Sequence, residues 1–275
     1  MQPVIVGEYY LMGQTLKSVN YFNTEVDSVC TCVYEVVRFE NSHLIFWQDH
    51  YSRLENSLKI AGQDYPLKFN QITSKIKLLI AANKLTEGLV KIDLYFHPKG
   101  EVLFKAYLTP LKVTTQDQQT NGIRCSLQFS QRHHPEAKIY NKDVRGKANT
   151  IIDQSQVYET ILVNQENYLT EGSRSNVFFI KDHKLITADD SLVLPGIIRS
   201  KIITLARDNS YEIIFRAVSV EEIIEMEAVF ITGTSPRLLP VKSIDKHNFN
   251  VNHPIMIQLK LDLAKLIEDQ VNNKN

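Results

Sequence analysis

Two hydrophobic periods alternate along this chain, and none of the runs that carry them is long enough to fold alone. Residues 29–39 and 43–47 are rich in β-branched and aromatic side chains, with Glu40, Asn41 and Ser42 as a turn between them, which predicts a pair of strands. Residues 49–61 switch to helical spacing through Leu54, Leu58 and Ala61, with Gly62 as a stop signal. A second helix is predicted over 71–83, where Ile72, Ile76, Leu79 and Ile80 share a face. Residues 89–96 and 102–108 return to strand alternation around Pro98, Lys99 and Gly100. Helices packed on an antiparallel sheet follow from this pattern, an α+β arrangement.

Residues 114–122 are polar and lack apolar periodicity, so they are expected to be a linker. Beyond them strands are predicted at 159–163, 177–181 and 228–232, and helices at 142–156, 197–209 and 253–272. The expected organisation is therefore a smaller N-terminal α+β domain (1–113), a linker (114–122) and a larger C-terminal α/β domain (123–275).

Composition narrows the function. With 31 basic and 31 acidic residues the formal net charge is zero, and a nucleic-acid partner normally calls for a basic excess. No apolar run approaches the roughly 20 residues that cross a bilayer, and no signal peptide is visible. Cys30, Cys32 and Cys125 are an odd set without metal or redox spacing, which suits a reducing, cytoplasmic setting. No metal site is expected, because His133 and His134 are adjacent rather than spaced along one helix face.

Three short stretches stand out. Thr170 to Asn176 (TEGSRSN) sets a carboxylate and small polar residues before a strong strand; it suits either a tight turn or the rim of a ligand pocket. Leu194 to Arg199 (LPGIIR) opens a helix through Gly196, so unpaired N–H groups and a partial positive charge face whatever lies ahead. Thr232 to Pro236 (TGTSP) places hydroxyls and a glycine at a strand end. Each alone is common punctuation; together they suggest two anion cradles and an isolated carboxylate in one domain. The chain has neither GxxxxGK[ST] nor GxGxxG, which argues against the two common nucleotide sites.

With these stretches in their order, the sequence resembles the class IV aminotransferases, the fold-type-IV pyridoxal-phosphate enzymes that include D-amino-acid aminotransferase, branched-chain aminotransferase and aminodeoxychorismate lyase. The resemblance covers nearly the whole chain. Val33 to Arg38 (VYEVVR) resembles the first core strand, and His50 to Leu54 followed by Ser57 and Leu58 resembles H-x-x-R-L-x-x-S. Lys138 to Asn141 (KIYN) resembles the lysine motif. Glu159 to Val163, Leu169 to Phe178, Leu194 to Arg199 and Thr232 to Val241 resemble the remaining blocks. Two departures are visible: Arg174 stands where a small residue is common, and Val29 to Cys32 replaces a Gly-Asp-Gly-like segment.

The resemblance implies a two-domain D-amino-acid-aminotransferase-like fold, a homodimer, and pyridoxal 5'-phosphate in a Schiff base with Lys138. It implies that Glu171 meets the pyridine nitrogen and that Arg53 grips the phosphate. Ile197 and Ile198 would offer backbone N–H groups beside Gly196, Thr234 would add a hydroxyl, Leu194 would pack on the ring, and Ser173, Arg174 and Ser175 would line its other side. Tyr34, Lys105 and Tyr107 are the expected substrate contacts. The implied activity is amino transfer between an α-amino acid and a 2-oxo acid. Two alternatives stay open: a pyridoxal-phosphate lyase acting on aminodeoxychorismate, and a non-catalytic binding protein that keeps the fold.

Overall fold

A computed structural model describes residues 4–23, 30–66 and 68–272. The chain divides into two compact units, one of residues 1–112, 137–140 and 269–275, the other of residues 113–136 and 141–268.

The first unit is built on β1 (Tyr9–Met12), β2 (Thr15–Ser18), β3 (Thr31–Glu40), β4 (His43–Leu44), α1 (Trp47–Ile60), α2 (Phe69–Asn83), β5 (Glu87–Phe96) and β6 (Val102–Thr109). Its six strands run in the order β2-β1-β6-β5-β3-β4, and every pair is antiparallel. Alternation decides the two faces. Val33, Val37, Phe39, Val90, Ile92, Leu94, Phe104, Ala106 and Leu108 form one core with Leu54 and Leu58 of α1 and Ile72, Ile76, Leu79 and Ile80 of α2. The predicted strand at 43–47 is shortened to β4, because Asn41 and Ser42 take positive φ in a tight hairpin and Phe46 (φ 52) turns the chain into α1. Val29, placed in the first strand by its pattern, lies outside the described residues.

The second unit contains α3 (Gln116–Asn121), β7 (Ile123–Phe129), α4 (Lys142–Ser155), β8 (Glu159–Val163), β9 (Tyr168–Gly172), β10 (Asn176–Lys181), β11 (Lys184–Thr187), α5 (Ile197–Asp208), β12 (Ile213–Phe215), β13 (Val218–Ser219), β14 (Ala228–Gly233), β15 (Arg237–Ile244), β16 (His247–Asn248) and most of α6 (Pro254–Asn272). The sheet order is β12-β11-β10-β14-β15-β7-β8-β9-β13. A pairing of Asn176 with Glu171 joins β10 to β9, so β10, β14, β15, β7, β8 and β9 close into a ring. Ile161, Val163, Val177, Phe179, Val229, Ile231, Leu239 and Val241 belong to its apolar core.

The polar stretch expected to be a linker is in part a helix. Thr115 caps α3 by accepting from the Gln118 N–H, and the Gln118 side chain accepts from the Thr115 N–H. This reciprocal cap satisfies two end groups without an apolar face. Residues 137–140, assigned by their position in the sequence to the larger domain, group with the first unit instead. The physical reason is backbone pairing: Val33 bridges Ile139, Tyr34 N–H donates to Lys138 C=O (3.1 Å) and Tyr140 N–H to Cys32 C=O (2.9 Å). Asn141 then starts α4, its side chain accepting from Val144 N–H at 3.0 Å.

Candidate functional site

In the first unit, Lys138 is held from two sides. Its carbonyl accepts from β3, and its N–H donates to Ser57 Oγ of α1 at 3.0 Å. Its ammonium lies 4.8 Å from the centre of the Tyr34 ring, a favourable cation–π distance. Tyr140 packs edge-on against Tyr34 at 6.3 Å. The lysine backbone is thus fixed while the side chain stays half-buried.

The helix period of α1 puts His50, Arg53 and Ser57 on one face, turned toward β3. There Glu35 sits fully buried, in the row that also carries Val33 and Val37. Arg53 donates from Nε and Nη2 to its two oxygens at 3.0 and 2.7 Å, and His50 Nδ1 lies 3.1 Å from Oε1. Burial alone would push the Glu35 carboxyl up, but the Arg53 and His50 charges and hydrogen bonds outweigh it and hold it well below the usual carboxylate range. Burial pushes His50 down from its ordinary value against the pull of Glu35, with Arg53 and Lys138 adding to the fall. A neutral His50 with its proton on Nδ1 donates to the ionised carboxylate, which can only accept.

The opposite face of the first sheet is polar. Tyr34 pairs with Asp93, and Asp93 with Lys105. Asp93 is fully buried and accepts from Tyr107 Oη (2.8 Å) and Tyr95 Oη (3.0 Å) through Oδ2. Lys91 Nζ donates to Tyr107 Oη at 3.0 Å and stands 3.2 Å from Asp93 Oδ1, too poorly aligned for a hydrogen bond to that oxygen. Lys105 is 4% exposed and donates to the Asn23 carbonyl at 2.6 Å, with the Phe22 and Tyr95 rings 5.3 and 5.5 Å away. Burial lowers its amine below the ordinary lysine value, with Asp93 opposing.

In the second unit, Glu171 of β9 is buried. Arg132 Nη1 donates to its Oε1 and the Leu194 N–H to its Oε2, both at 3.1 Å. Leu194 in turn accepts from Asn176 Nδ2 at 2.8 Å. Gly196 is the N-cap of α5, and a Cβ there would fall 1.9 Å from Asn176 Oδ1. Only glycine fits while that asparagine stays in place. Ile197 and Ile198 supply the first turn of α5 and are buried. Asn176 pairs with Thr232 of β14, whose buried Oγ1 has no hydrogen-bond partner among the described residues. Thr234 is half-buried in the turn that follows. Arg199 is buried against Asp190, the Ala188 carbonyl and Thr187.

Ser173 and Ser175 turn their hydroxyls to a different carboxylate. Buried Glu159 accepts from Ser173 Oγ (2.6 Å), Ser175 Oγ (3.1 Å), Thr160 N–H (2.9 Å) and Arg174 N–H (3.1 Å). The Arg174 guanidinium reaches Asn149.

Several of the residues singled out by sequence thus meet. Lys138 and Tyr34 are in contact, Lys105 and Tyr107 share the polar face, Glu171 joins Leu194, and Gly196 stands beside the asparagine paired with Thr232. Arg53 is locked to Glu35, and Ser173, Arg174 and Ser175 surround Glu159. Glu35, His50 and Glu159 stood inside the motif blocks without an assigned role, and Lys91, Asp93 and Arg132 were not singled out. Glu35, Lys91 and Asp93 had a signal: each interrupts a strand-like apolar run, where a charge needs a partner. Arg132 had none.

A family model described as "Amino-transferase class IV" matches residues 32–244. The chain is 30% identical over 81% of its length to a probable branched-chain-amino-acid aminotransferase of Thermotoga maritima, covering 80% of that protein. It is 28% identical over 81% of its length to a D-alanine aminotransferase of Bacillus licheniformis, covering 82% of it. Among solved structures it is similar to the branched-chain amino acid aminotransferase from Thermobaculum terrenum in its pyridoxal-phosphate holo-form, with a TM-score of 0.83, 21% identity and coverage of 97% of this chain and 96% of that one.

Proposed function

Because the chain belongs to the class IV aminotransferases, and is therefore a transaminase, we propose that it moves an amino group between an aliphatic α-amino acid and a 2-oxo acid, using pyridoxal 5'-phosphate held by Lys138. The cofactor, when bound, supplies an electron-poor ring that accepts the electron pair of the substrate α-carbon.

The residues fit such a group. An anionic phosphate suits the start of α5, where Gly196 leaves no room for a Cβ and Ile197 and Ile198 offer N–H groups. The orphaned Thr232 Oγ1 lies beside that start through its pairing with Asn176. Thr234 adds a hydroxyl, and Arg53 a guanidinium whose aim is set by Glu35 and His50. Glu171 takes the ring nitrogen, oriented by Arg132 and the Leu194 N–H. Leu194 packs on one side of the ring; Ser173, Arg174 and Ser175, braced by Glu159, line the other.

Lys138 carries the assignment. Its main chain is clamped to β3 and α1, so its amine returns to one place after each proton it takes from the substrate α-carbon. Tyr34, Lys105 and Tyr107 form the substrate-facing surface. An aliphatic side chain is what the branched-chain and D-alanine relatives share in their names. A homodimer accords with the family resemblance, and the sparse, oddly numbered cysteines favour a cytoplasmic setting; the balanced charge speaks against a nucleic-acid partner, and among the described residues no helix is long and apolar enough to cross a membrane.

The test is an absorbance spectrum of the protein with added pyridoxal phosphate, then a panel of D- and L-amino acids. A visible band that bleaches with one amino acid names the donor. Lys138→Ala should lose the band and lower turnover by at least about a hundredfold; a variant that keeps both removes Lys138 from its role. Pyruvate released from aminodeoxychorismate without any amino acceptor would replace the transaminase with a lyase.

A further inference from the structure

In the second unit the positions given to the cofactor come from three stretches of chain: Glu171 in β9, Leu194 and Gly196 ahead of α5, and Thr232 in β14. One buried residue, Asn176 at the start of β10, is joined to all of them. Its main chain pairs with Glu171 on one side and Thr232 on the other. Its Nδ2 donates to the Leu194 carbonyl at 2.8 Å, and its Oδ1 lies 1.9 Å from the place a Cβ on Gly196 would take. The Leu194 N–H closes the circuit on Glu171 Oε2 at 3.1 Å.

Resting on the transaminase reading above, we propose that Asn176 is the positioning residue that sets the spacing between the Glu171 carboxylate and the phosphate-binding start of α5. A pyridine ring is rigid, so its nitrogen and its phosphate arm reach the protein at one fixed separation. Two subsites reinforce each other only if the protein holds that separation beforehand. Three observations carry the assignment. First, Asn176 is where β10 meets β9, opposite Glu171 itself, so its place is tied to the strand that carries the carboxylate. Second, residues 188–196 form neither strand nor helix, and their end needs other ties. Leu194 has two, its carbonyl held by Asn176 and its N–H by Glu171; both partners belong to the same strand pairing. Third, Gly196 has φ −68 and ψ 136, a conformation open to any residue. Backbone geometry therefore does not ask for glycine there; the Asn176 carboxamide against its Cα does. Asn176 acts through Glu171 and α5 rather than by touching the cofactor.

The experiment measures, by calorimetry on the full chain freed of cofactor, the binding of two probes. Pyridoxine 5'-phosphate has the ring and the phosphate arm but no aldehyde; inorganic phosphate has the charge of the arm alone. Asn176→Ala should weaken pyridoxine 5'-phosphate about tenfold, the effect of one well-aligned hydrogen bond. It should weaken inorganic phosphate less than about threefold, because the start of α5 survives and only its spacing from Glu171 is released. Gly196→Ala should give the same unequal pair of losses, since its methyl group and the carboxamide compete for one place, and it reads the ratio should Asn176→Ala fail to fold. The double variant should bind pyridoxine 5'-phosphate within about threefold of Asn176→Ala, the methyl then filling the space the carboxamide left. Equal weakening of both probes, which a merely structural role would give, overturns the proposal. So do losses that add in the double variant, or no loss at all. An unaltered protein that shows no visible band with pyridoxal 5'-phosphate is a different failure, that of the transaminase reading.

Discussion

Glu35 in the first unit and Glu159 in the second are both buried carboxylates at the centre of a hydrogen-bond cluster, and they are compensated in opposite ways. Glu35 faces a guanidinium and an imidazole from α1. Glu159 faces two serine hydroxyls and two backbone N–H groups. The first is a charge pair that fixes the aim of an arginine. The second is a carboxyl group held by dipoles, which shapes the turn between β9 and β10. A pair is fragile to loss of one partner, because the other charge stays behind in the core. A dipole cage is fragile only to loss of its acceptors.

The largest expected effect breaks the pair. Glu35→Ala should cost about 3–5 kcal/mol, leaving Arg53 buried without its carboxylate; urea unfolding reads it, and a loss under about 1 kcal/mol would mean that Arg53 finds water. Glu159→Gln keeps the shape and one acceptor oxygen, so its cost should be smaller, about 1–3 kcal/mol. A cost equal to that of Glu35→Ala would dissolve the contrast. The smallest effect is in pH. His50 is depressed below its unfolded value of 6.5, so the unfolded chain binds the proton first as pH falls. The stability it contributes is present above pH 6.5 and is lost as pH drops below it. Glu35, depressed below its ordinary 4.5, adds a further loss at more acid pH. Unfolding at pH 7.5 and 5.5 should show this slope, and His50→Gln should flatten it; an unchanged slope places its origin elsewhere.

Much of the second unit could be read along the chain. The helix start at Gly196, the strand at 177–181 and the carboxylate at Glu171 each announce themselves within a few residues. Lys138 was legible as a residue but not as a member of the first unit, since its place depends on pairing with β3, about a hundred residues earlier. The α3 helix hid in a polar stretch because a capping box, not an apolar face, holds it. Glu35, Lys91 and Asp93 were visible as charges inside strand patterns, yet their partners were not.

Local pattern by itself determined most of the strands and helices and the glycine-led start of α5, because each rests on periodicity, capping or backbone sterics within one short segment; the family was legible as a resemblance of motifs taken in order along the chain. Only the tertiary structure decided that Arg53 is spoken for by Glu35, that Arg132 meets Glu171, and that six strands close through Asn176 and Glu171. Those are meetings between distant segments, set by register and by the requirement that every buried charge find a partner.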